Sequence, residues 1–220
     1  MNYLFQKKKK YLYLITPPNL LKKELLLDEF LIVLNKVLKT KKIKILQLRL
    51  KNKSEKKIIK ISKKINVLCK KYNTLFFSYD YVSEKILKFG DGVHLGQKDL
   101  SKKKINLIHK KKKYLGITCH NSEKFVKKVM RYKPNYISFG SFFNTETKKI
   151  KFLAKIKNIN WFKKNFSIPC AAIGGINIKN CKKILNTECD LLAICSGIWN
   201  FEEGPIKAVN KFYKILKEKK

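Results

Sequence analysis

The chain has 220 residues, 45% apolar and 12% aromatic, enough for the core of one large α/β domain, and it contains no uncharged apolar run of about 18 residues, which excludes a membrane-spanning helix. Its formal charge of +37 comes from 52 basic residues, of which only Arg49 and Arg131 are arginines; lysines scattered over every polar face argue against a nucleic-acid surface, which concentrates charge and uses arginine for bidentate contacts. The first lysines follow a short apolar patch, the wrong order for a secretory signal, and six cysteines stand singly in apolar runs without zinc-ligand spacing, so the chain is expected to be cytoplasmic with free, buried thiols.

In chain order, apolar runs at 11–15, 43–48, 75–78, 92–95, 114–118, 136–139, 169–173 and 191–195 read as strands. Segments with helical spacing and lysine-rich outer faces lie between them at 25–38, 55–71, 83–89, 123–132 and 179–185, and a last helix is predicted over 206–217. Eight alternations with near-continuous apolar strands predict an α/β fold, a (β/α)8 TIM barrel formed as a single domain over 1–220. The basic ends, about 1–10 and 217–220, are expected to be solvated or frayed. A doubly wound open sheet shares this periodicity and stays the alternative.

In a barrel, ligands meet the carboxyl ends of the strands. After the second strand, Gln47-Leu-Arg-Leu-Lys51 alternates Gln47, Arg49 and Lys51 to one side, against Leu48 and Leu50 on the other. Arg49 stands out in a chain that otherwise uses lysine, which suggests a need for the planar fork. Asp80 follows the third strand and Asp99 the fourth, two carboxylates able to seat magnesium together with waters and phosphate oxygens, although acidic residues there also cap helices. His120, after the fifth strand, is open to either an acid–base or a structural reading.

The sixth strand runs into Phe139-Gly-Ser-Phe-Phe-Asn-Thr-Glu-Thr-Lys148, which offers the hydroxyls of Thr145 and Thr147 and the ammonium of Lys148 to an anion. Strands seven and eight end in Ala172-Ile-Gly-Gly-Ile176 and Ile194-Cys-Ser-Gly197, where backbone N–H groups at Gly175 and Ser196 can approach a phosphate.

These segments, with Leu12-Tyr-Leu-Ile-Thr-Pro17, Asp91-Gly-Val-His-Leu-Gly-Gln-Lys-Asp99 and Gly116-Ile-Thr-Cys-His120, resemble the thiamine phosphate synthase family in order and spacing from about residue 11 to 213. The resemblance implies a (β/α)8 barrel that joins a hydroxymethylpyrimidine diphosphate to a thiazole phosphate with magnesium (Mg2+), releasing diphosphate. By it, Gln47, Arg49, Lys51, Thr118 and Lys148 hold the pyrimidine diphosphate, Asp80 and Asp99 the metal, and Thr145, Thr147, Gly175, Cys195 and Ser196 the thiazole phosphate. Arg49, Lys51, Lys148 and Thr118 are the expected catalytic set, acting on a departing diphosphate. Tyr79 stands in the substrate site where the family usually carries Asn, and its ring cannot mimic an amide that both donates and accepts. The implied partners are small molecules, with no specific nucleic acid and no membrane, and an oligomer is compatible. A thiazole tautomerase of the same barrel family using His120 is the nearer alternative, and a polyanion-binding or nucleic-acid-binding protein the more distant one.

Overall fold

The structure, a computed structural model, describes residues 5–6, 9–17, 20, 25–50, 53–144 and 152–218. Eight parallel strands close a barrel in sequence order: β1 Tyr11–Ile15, β2 Ile43–Leu48, β3 Leu75–Tyr79, β4 Gly92–Leu95, β5 Tyr114–His120, β6 Tyr136–Phe139, β7 Cys170–Ile173 and β8 Leu191–Ile194. Closure is made by pairing β1 with both β2 and β8, which rules out the open sheet. Around the strands lie α1 Leu25–Lys39, α2 Glu55–Lys71, α3 Glu84–Leu87, α4 Lys102–Lys110, α5 Glu123–Met130, α6 Ile156–Asn165, α7 Cys181–Leu185, α8 Ser196–Trp199 and α9 Pro205–Lys217. Among the described residues no helix is long and apolar enough to cross a membrane.

Both faces of the strands are covered, so both are largely buried. Outward residues such as Leu12, Leu14, Phe76, Val93, Ile117 and Phe139 pack against the helices. Inward residues Tyr13, Ile15, Ile45, Phe77, Tyr136, Ala171, Leu191 and Ala193 form a second core inside the barrel. The period of two along each strand makes this division and thereby decides which side chains can reach the lumen.

Helices α4 and α6 lie in stretches that carry no helix prediction. In α4 only Ile105 and Ile108 are buried, and Ser101 caps the start by accepting from Lys104 N–H at 3.3 Å. Phe5 departs from the expected solvated N-terminus: it is 5% exposed and joins the inner core, its ring 5.5 Å from that of Tyr11. Lys10 is likewise anchored, its Nζ donating to the Cys189 carbonyl at 2.8 Å.

Room for the large inward rings comes from glycine. A Cβ at Gly116 would stand 2.3 Å from Tyr136 Cζ, and one at Gly92 would stand 2.4 Å from Phe77 Cε1. Gly116→Ala is therefore expected to overpack the lumen and lower the free energy of unfolding by about 2 kcal/mol, read from urea denaturation; an unchanged midpoint would show that the interior has slack to absorb a methyl group.

Candidate active site

Register carries the polar residues to one mouth. Pairing of β3 with β4 sets Tyr79 beside His94, and pairing of β5 with β6 sets Thr118 beside Ser138. Arg49, just past β2, lies over the Tyr79 ring with its guanidinium carbon 5.4 Å from the centroid, and the Tyr79 ring also stacks on that of His94 at 6.0 Å and 13°. The backbone N–H of Arg49 donates to Thr16 Oγ1 at 3.0 Å, which fixes where the side chain leaves β2.

The two carboxylates meet next to this stack. Asp80, at φ +62° immediately after β3, accepts from Gly96 N–H at 2.7 Å. A Cβ at Gly96 would stand 2.8 Å from Asp99 Oδ2, 3.3 Å from Tyr79 Oη and 3.4 Å from Asp80 Oδ1, so the missing side chain opens a cradle lined by acidic oxygens. Burial, and then the charge of Asp99, pushes the Asp80 carboxyl up to about 6, although the Gly96 N–H opposes this. Among the described residues no group of three or more His, Cys, Asp or Glu could hold a metal. This pair suits an ion content with one or two carboxylates that takes its other ligands from water and phosphate, as Mg2+ does.

Inside the mouth runs a chain of buried polar groups. Gln47 Nε2 donates to Tyr13 Oη at 2.6 Å, the Tyr13 and Tyr136 hydroxyls lie 2.9 Å apart, and Tyr136 Oη is 2.7 Å from His94 Nδ1. His94 Nε2 is 2.7 Å from Thr118 Oγ1, to which Ser138 also donates at 3.3 Å. Burial raises both phenols above their ordinary range, so they stay protonated. Tyr13, His94 and Tyr136 carry no role in the sequence reading. Their signal was strand parity: His94 alternates with the outward Val93 and Leu95, and Tyr13 with Leu12 and Leu14.

The other expected residues divide into described and undescribed. The loop after β7 folds at Gly174 and Gly175, with φ +99° and +64°, and a Cβ at Gly175 would fall 2.2 Å from the Asn144 carbonyl oxygen. A Cβ at Gly197 would fall 2.2 Å from the Ile176 carbonyl oxygen, so the ends of β6, β7 and β8 abut. Ser196 opens α8, and Cys195 before it is a thiol pushed up to about 11 by burial, its Sγ 3.5 Å from the Thr16 carbonyl oxygen. His120, at φ +52°, stacks on Phe152 at 4.9 Å with Nδ1 3.3 Å from the Gly140 carbonyl oxygen. Lys51, Thr145, Thr147 and Lys148 lie outside the described residues. A cleft of about 470 Å³ sits at the opposite end of the barrel, lined by residues that include Phe5, Lys10, Lys163 and Asp190. Its Lys163 is paired with Asp190 at 2.9 Å, and none of the expected site residues lines it.

Fold and mouth together place the chain among the (β/α)8-barrel enzymes. A family model described as thiamine monophosphate synthase matches residues 12–198. The thiamine-phosphate synthase of Pelagibacter ubique is 38% identical over 206 residues, covering 92% of this chain and 96% of that protein. That of Rhodospirillum centenum is 30% identical over 206 residues, covering 94% and 97%. Among solved structures, thiamine phosphate pyrophosphorylase from Pyrococcus furiosus superposes with a TM-score of 0.77 at 26% identity, over 94% of this chain and 96% of that one. The chain belongs to the thiamine monophosphate synthase family. With that membership the reading of the sequence as a thiamine phosphate synthase, a transferase of thiamine biosynthesis, holds.

The state of His94 yields a test. Burial, then the charge of Arg49, brings its imidazole down to about 3. An unfolded histidine titrates near 6.5, so as pH falls from there the unfolded chain takes up a proton that the folded chain refuses, and stability is progressively lost across the window. His94→Gln is expected to flatten the decline of the urea midpoint between about pH 6.5 and 3 relative to wild type; parallel declines would contradict a buried neutral imidazole.

Proposed function

We propose that this mouth joins a hydroxymethylpyrimidine diphosphate to a thiazole phosphate by departure of diphosphate from the pyrimidine methylene, after which the thiazole nitrogen attacks the resulting cation. The observation that carries this reading is the meeting of Asp80 and Asp99 over Gly96, beside a Tyr79 ring that Arg49 covers. Two carboxylates alone would repel a diphosphate. With a divalent cation held by them, which would supply positive charge, and the Arg49 guanidinium nearby, the same groups would attract it.

In this account Asp80 and Asp99 would hold Mg2+, which would supply positive charge to offset that developing on the leaving group. Arg49, with Lys51 and Lys148, takes the diphosphate oxygens, and the Thr118 hydroxyl adds a hydrogen bond. Interactions of this kind strengthen as charge moves onto the leaving oxygen, so they favour the transition state over the bound substrate. Gln47 and Tyr79 shape the pyrimidine side. Thr145, Thr147 and the backbone at Gly175, Cys195 and Ser196 take the thiazole phosphate; support comes from the close approach of the β7 and β8 loops. No strong base or nucleophile is required. The same reading places the reaction in the cytoplasm with small molecules as partners, supported by six free cysteines.

Purified chain given Mg2+ and both substrates is expected to form thiamine phosphate, and Asp99→Ala or Lys148→Ala to lower turnover by more than about a hundredfold while circular dichroism and thermal unfolding stay as in wild type. Absence of product with both substrates saturating would sink the proposal. Tautomerisation of a thiazole carboxylate phosphate in its place would move the assignment to the chemistry of His120.

A further inference from the structure

The buried polar chain has a direction. An amide NH2 group can only donate, and Gln47 Nε2 gives its hydrogen bond to Tyr13 Oη at 2.6 Å. Tyr13 therefore turns its own proton to Tyr136, 2.9 Å away, and Tyr136 turns its proton to His94 Nδ1 at 2.7 Å. His94 is 3% exposed, its ring nitrogens are bonded to uncharged hydroxyls, and the Tyr79 ring that stacks on it also carries the Arg49 guanidinium. Such surroundings keep an imidazole neutral. With Nδ1 accepting, its single proton stands on Nε2 and is given to Thr118 Oγ1 at 2.7 Å. Ser138 fills the second lone pair of the same oxygen at 3.3 Å.

We propose that this chain fixes the Thr118 hydroxyl as a donor aimed at an oxygen of the departing diphosphate, with Tyr13, Tyr136 and His94 as positioning residues. The identity of the acceptor rests on the proposed reaction; the polarity of the chain does not. A freely turning hydroxyl can present either its proton or a lone pair to an anion, and the lone pair repels. Filling both lone pairs from inside the barrel leaves only the proton to offer, so no reorientation is required as charge arrives. Thr118 sits on the inward face of β5, half-buried, between the outward Ile117 and Cys119, which keeps its hydroxyl toward the lumen and mouth.

The test uses the full-length protein labelled with 15N-histidine, with long-range proton–nitrogen spectra that distinguish the two tautomers and His94 assigned by its loss in His94→Gln. Wild type is expected to carry the proton on Nε2, and Tyr136→Phe, which removes the donor to Nδ1, to populate both tautomers. A proton on Nδ1 in wild type, or a tautomer that ignores Tyr136→Phe, overturns the proposal. Kinetics supply the second arm: Tyr136→Phe should lower kcat about tenfold, the worth of one hydrogen bond, with KM for the thiazole unchanged. In a Thr118→Val background the same substitution should add nothing. A loss that persists in full there marks Tyr136 as merely structural and overturns the role in catalysis. Tyr13→Phe, one link earlier, serves if Tyr136→Phe does not fold. A chain that forms no thiamine phosphate would refute the reaction while the tautomer measurement still decides the polarity.

Discussion

A hydrogen bond between two buried phenols, Tyr13 on β1 and Tyr136 on β6, spans the inside of the barrel at 2.9 Å and sets the terms for what surrounds it. The rings meet edge to face at 5.9 Å and fill the lumen, but their hydroxyls cannot be left there unpaired at a cost of about 1–3 kcal/mol each. Gln47 on β2 and His94 on β4 supply the missing partners, so one polar requirement ties four strands together. Gly116 is small for the same reason: the Tyr136 ring occupies the space of its side chain.

From His94 the constraint passes outward to the chemistry. Its ring supports Tyr79, Tyr79 supports the Arg49 guanidinium, and the Tyr79 hydroxyl reaches the point where Asp80 and Asp99 converge. Tyr79 thus joins the stack to the carboxylates through its ring on one hand and its hydroxyl on the other. Polar groups of the mouth are braced from within by hydrogen bonds and stacking. The lysines on the helices play no comparable part: pairs such as Lys64 with Asp28, at 2.9 Å and largely exposed, contribute about 0–1 kcal/mol.

Legibility in the sequence followed the contrast between residues and their neighbours. The eight strands stood out as apolar runs in a lysine-rich chain, and β1, β2, β4 and β6 match their predicted bounds. Helix α4 did not stand out because a helix that buries only Ile105 and Ile108 among lysines has almost no apolar stripe to detect. At the mouth, Asp80 was readable because it ends an apolar run, Arg49 because it is an arginine within such a run in a chain of lysines, and Asp99 because it follows the fourth strand closely. His94, Tyr13 and Tyr136 were not, since a polar tip inside a buried strand looks like core until the parity of that strand is known. Phe5 had no pattern at all; only closure of the barrel gives it a lumen to enter.

The central claim is that Arg49 and the Asp80–Asp99 pair form one site for diphosphate and a divalent cation together. Calorimetric titration of the full chain with inorganic diphosphate, with and without Mg2+, tests it most directly. Affinity should rise at least about tenfold with Mg2+, and that rise should vanish in Asp80→Asn, whereas Arg49→Ala should weaken binding in both conditions. Diphosphate binding that is indifferent to Mg2+ in wild type, or a Mg2+ effect that survives in Asp80→Asn, would contradict the account.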